Sequence, residues 1–176
     1  MQKNWQNRIK DVVASKYYLV KNYTLMLDNL INLIWQHAGN AIINNPAIPN
    51  EQNNAVISEA GNSIVGTLKN MISQGNMQDV MNLFHNSGNL SSNPATQNIS
   101  GNFVQALMDK FGLDQNAASG VAGDLIPNVL QSLVHKTNDP NDSSFNVQGI
   151  ISQLASGQEA GMGAGVLDKI KGMFGQ

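Results

Sequence analysis

Ile99-Ser100-Gly101-Asn102-Phe103-Val104-Gln105-Ala106-Leu107-Met108-Asp109-Lys110-Phe111-Gly112-Leu113-Asp114 is the stretch on which the fold turns. Its apolar residues Ile99, Phe103, Val104, Leu107 and Phe111 mostly recur at three- or four-residue spacing, the repeat of one helix face. Gly112 stops this helix, because glycine tolerates the left-handed conformation of a helix end. Asp114 then supplies a carboxylate to cap the next helix, whose inward residues are Ala117, Ala118, Val121 and Leu125. Pro127 has no backbone N–H and clashes with the preceding turn, so it kinks that helix or restarts it at its first position. Val129, Leu130, Leu133 and Val134 carry the apolar face onward.

The same period extends in both directions. Met26, Leu27, Leu30, Ile31, Ile34, Trp35 and Ala38 predict a first helix over about Leu27 to Ile42. Residues 44–50 contain Pro46 and Pro49 and form a stiff connector. Asn50 is placed to cap a second helix, with Val56, Ala60, Ile64, Leu68, Met71 and Ile72 inward and Gly75 at its end. A short third helix turns Met77, Val80, Met81 and Phe84 inward, and a polar loop runs to Pro94. Beyond a turn around Pro140, Ser144 or Asn146 caps a helix with Val147, Ile150, Ile151 and Leu154. A Gly-rich hinge over 156–165 precedes a last short helix. No segment alternates with period two, so the expected fold is all-α, an irregular bundle of about seven short helices bent at Pro127.

The chain has 176 residues, and only 12% of them are charged. That is about half the ~25% of a typical soluble domain. Asn and Gln fill the gap with 25 and 14 positions, interspersed at helical spacing rather than in runs. This pattern decorates ordinary helix surfaces and does not make a low-complexity tract. The absence of cysteine removes disulfides, thiolate metal sites and thiol catalysis. No run approaches the ~20 apolar residues of a membrane span, and no secretory signal is evident, so a soluble cytoplasmic protein is expected.

Charge is uneven along the chain. Residues 1–25 hold Lys3, Arg8, Lys10, Lys16 and Lys21 against Asp11, a net of +4, whereas 26–176 carries −6. Such a basic stretch is an extension ahead of a natural start at Met26, a weakly ordered arm, or a functional arm for anionic partners; the first is the expectation. The organisation expected is a basic extension over 1–25, a helical domain over 26–155, and the hinge with its amphipathic end over 156–176. A body of net negative charge without a basic stripe argues against nucleic-acid binding.

Catalytic patterns are weak. His37, His85 and His135 fall on three different predicted helices and lack the one-turn spacing of helical metal ligands. Asn138-Asp139-Pro140-Asn141-Asp142-Ser143 superficially resembles a calcium loop, but Pro140 occupies a ligand position and the distal Glu is missing. Gly161-Met162-Gly163-Ala164-Gly165 lacks the strand and the Lys-Ser/Thr pair of a phosphate loop. Ser119 and Asp124 share a helix with no base beside the hydroxyl. The expectation is a protein with no catalytic residues, no metal and no cofactor.

The most suggestive feature is Val166-Leu167-Asp168-Lys169-Ile170-Lys171-Gly172-Met173-Phe174. Val166, Leu167, Ile170, Met173 and Phe174 form one apolar face, with lysines on the other. This segment either folds back to complete the core, docks on a protein partner or a second copy, or lies on a membrane surface. The first fate is the ordinary one for a helix too short to stand alone in water. Eight methionines in a low-charge chain would suit adaptable contacts, although core packing accounts for them equally well.

One stretch resembles a known family. Lys110-Phe111-Gly112-Leu113-Asp114, Ala118-Ser119, Leu125-Ile126-Pro127, then Leu130 and Leu133 are similar in order and spacing to the YidB-like family of bacterial domains of unknown function. His135 to Asp142, Phe145 to Gly157, the Asn45-Pro46-Ala47-Ile48-Pro49 connector and a start near Met26 resemble its Bacteroidetes-type members. The resemblance covers about Met26 to Phe174 and implies an all-helical bacterial domain without an established activity. The shared residues are a helix stop, a cap and a bend, which define architecture and carry no chemistry.

Overall fold

The computed structural model describes residues 27–85, 90–141, 145 and 147–155. All regular structure among these residues is helical. Helix α1 covers residues 27–38 and runs directly into a π-helical turn, Gly39–Ile43. After the connector and a 3-10 turn at Asn50–Gln52 come α2, Asn53–Ser73, and α3, Met77–His85. A second 3-10 turn, Leu90–Ser92, leads to α4, Pro94–Phe111; then follow α5, Gln115–Asn138, and α6, Val147–Ala155. The described residues therefore hold six α-helices. The seventh expected helix, the hinge over 156–165, the extension over 1–25 and the two candidate caps Ser144 and Asn146 lie outside them.

The stretch around Gly112 folds as its residues dictate. Asn93 accepts a hydrogen bond from Ala95 N at 2.8 Å, and Pro94 takes the first helical position, where a missing N–H costs nothing. Gly112 sits at φ +69° in the left-handed region and ends α4. Asp114 Oδ1 accepts from Asn116 N and Ala117 N at 2.9 and 3.0 Å and starts α5. Gly75, at φ +87°, ends α2 in the same way: Gly75 N donates to Ile72 O, and Asn76 N to Met71 O. That pair of bonds is the Schellman arrangement, which satisfies carbonyls left free by the helix end.

Pro127 stands inside a single continuous helix, so the restart alternative is not what the chain adopts. Apolar packing offsets the lost bond: Leu125, Ile126, Val129, Leu130 and Val134 are completely buried around it. Two further expectations are corrected. Asn50 lies in the 3-10 turn, and its side chain accepts from Asn53 Nδ2 instead of capping α2. In α3, Met77 is exposed and Met81 half-buried, while Leu83 joins Val80 and Phe84 in the core.

Helix α4 packs on both α2 and α5. Between α2 and α4, Lys110 Nζ meets both carboxylate oxygens of Glu59 at 2.8 Å, and Asn102 Nδ2 donates to Thr67 Oγ1 at 2.8 Å. Asn98 Nδ2 points at Met71 Sδ at 3.9 Å. The partners on α2 climb as those on α4 descend, residue for residue, which fixes an antiparallel register. Every contact position on each helix follows the previous one by a multiple of four, so a single stripe on each helix forms the seam. Beneath it one core runs through all six helices, with Phe84 and Phe103 its largest fully buried side chains. Burying side chains of this kind contributes roughly 1.5–3 kcal/mol each. Ile48 anchors the connector in the same core, and Phe145 does so beside α6.

Candidate functional site

The three histidines do not converge. His37, half-buried in the last turn of α1, places Nε2 2.8 Å from Ser132 Oγ on α5. His85 is exposed, and its Nδ1 lies 2.8 Å from Met81 O one turn back on α3. His135 is exposed on α5. Among the described residues no three His, Asp or Glu side chains come together as a metal site.

The His37–Ser132 contact was not legible in the sequence, because the partners are 95 residues apart. In composition it is a base and a hydroxyl, the first two members of a nucleophilic triad. Its setting is a helix–helix tie. Ser132 lies within a regular helix, whose interior N–H groups are spent on the helix itself and do not form an oxyanion hole. The π-helical turn that follows His37 packs against α5 and brings α1 close enough for the bond.

Four of the eight described carboxylates serve the architecture. Asp114 caps α5, Asp139 Oδ1 accepts from Asn141 N at 2.9 Å in a tight turn, Asp109 pairs with Gln105 on α4, and Glu59 holds Lys110. The calcium-loop resemblance at Asn138 to Ser143 resolves in part into that turn, and Asn138 Nδ2 donates to Phe84 O at 2.9 Å. The α5 end is thereby tied to the last turn of α3. Ser119 and Asp124 are both exposed on α5.

A cavity of about 20 Å³ lies where α6 meets α1, α2 and α5, and its walls are entirely apolar: Leu30, Ile64, Val65, Leu68, Phe145 and Ile150 among them. Its lining offers no hydrogen-bond partner to a water, which needs two or more. On the outside, the large apolar side chains exposed among the described residues are Ile43, at 37%, and Met77, at 41%. Leu27, Ile31, Trp35 and Phe111 are half-buried, and the described residues carry three lysines, Lys69, Lys110 and Lys136, against eight carboxylates. No described helix is long and apolar enough to cross a membrane. The candidate contact residues Val166, Leu167, Ile170, Met173 and Phe174 lie outside the described residues. Comparison with protein-family models, curated proteins and solved structures finds no match to this chain.

Proposed function

We propose that this chain is a non-enzymatic bacterial interaction or self-assembly module of the YidB-like kind, acting in the cytoplasm. Its helical body over 26–155 is a carrier, and Val166, Leu167, Ile170, Met173 and Phe174 make the contact. The observation that supports this reading is the surface of the body. Only Ile43 and Met77 are exposed large apolar side chains among the described residues. So little fully exposed apolar area favours covering of a five-residue apolar face by a groove on something else. The use of His37, Asp114, Asp139 and Glu59 in ties, caps and turns supports an architectural role for the reactive side chains.

Lys169 and Lys171 beside the apolar face favour a second reading, attachment to an anionic membrane surface. Two arms separate the readings. Size-exclusion chromatography with light scattering, on the full chain and on a chain truncated after residue 160, reports a complex with itself or an added partner. Co-sedimentation with vesicles of anionic phospholipid reports membrane attachment. The proposal expects a complex that the truncation abolishes, with no vesicle binding. Vesicle binding that depends on the same residues, without a protein complex, would replace it with the second reading.

A further inference from the structure

No further inference is drawn: the strongest candidate, the wholly apolar cavity between α6 and the wall formed by Leu30, Ile64, Val65 and Leu68, has no polar group to orient a ligand, and nothing in the structure shows what would occupy it.

Discussion

His37 Nε2 and Ser132 Oγ stand 2.8 Å apart and join α1 to α5 across 95 residues of sequence. Both side chains are half-buried, so the bond replaces water only in part. A net contribution of about 1 kcal/mol is expected for such a pair. His37→Ala and Ser132→Ala should each lower stability by about that amount, and the double variant by less than the sum. Urea unfolding of the four proteins gives the coupling energy directly. A coupling indistinguishable from zero would mean that the tie does not hold the two helices together.

Thr96 presents a different case. It is 2% exposed in the first turn of α4, and its hydroxyl oxygen has no hydrogen-bond partner. A buried hydroxyl left unpaired costs roughly 1–3 kcal/mol of desolvation. Thr96→Val keeps the shape and removes the polar atom, so it should raise stability by about 1 kcal/mol. Thermal unfolding monitored by circular dichroism checks this, and a lowered midpoint would reveal a partner for the hydroxyl.

Gly101 within α4 and Gly112 at its end separate helix propensity from backbone strain. A Cβ at either Gly101 or Gly112 would meet nothing within 4 Å, yet only Gly112 has a positive φ, +69°. Gly112→Ala should therefore lose about 1–2 kcal/mol through the left-handed conformation alone. Gly101→Ala should gain about 0.5–1 kcal/mol, the ordinary advantage of alanine within a helix. Opposite signs in parallel denaturant titrations are the expected result.

The Glu59–Lys110 ion pair is short, at 2.8 Å, but the Lys110 side chain is 59% exposed. Solvent screening limits such pairs to about 0.2–1 kcal/mol. Lys110→Met should cost no more than that, and most of the cost should vanish in about 1 M salt, where charges are screened within ~3 Å. A loss that persists in high salt would assign the effect to the direct hydrogen bonds from Lys110 Nζ to Glu59.

Local signals were the legible part of this fold. The Gly112 stop, the Asp114 cap and the Gly75 end each act through one residue and its nearest turn, so sequence sufficed to place them. The apolar faces of α2, α4 and α5 followed from spacing alone. Readings failed where distant packing chose between local options. Asn50 is a good cap in isolation, but the chain leaving Pro49 tightens into a 3-10 turn, and α2 begins two residues later than a cap at Asn50 would place it. Met77 has the spacing of an inward residue, but as the first residue of a short helix it lies at the surface, and Leu83 takes a core position beside Val80 and Phe84. The pairings His37–Ser132, Asn102–Thr67 and Asn138–Phe84 join positions 35 to 95 residues apart, and no local pattern encodes them.

The proposed role makes the folded body a carrier and residues 166–174 the contact. An N-terminally tagged chain, with and without residues 161–176, is captured from its native cells after membranes are solubilised. The expected result is a stoichiometric partner, either another protein or untagged copies of the chain, recovered only when the segment is present. Equal recovery from both forms, or the protein alone from both, would contradict it.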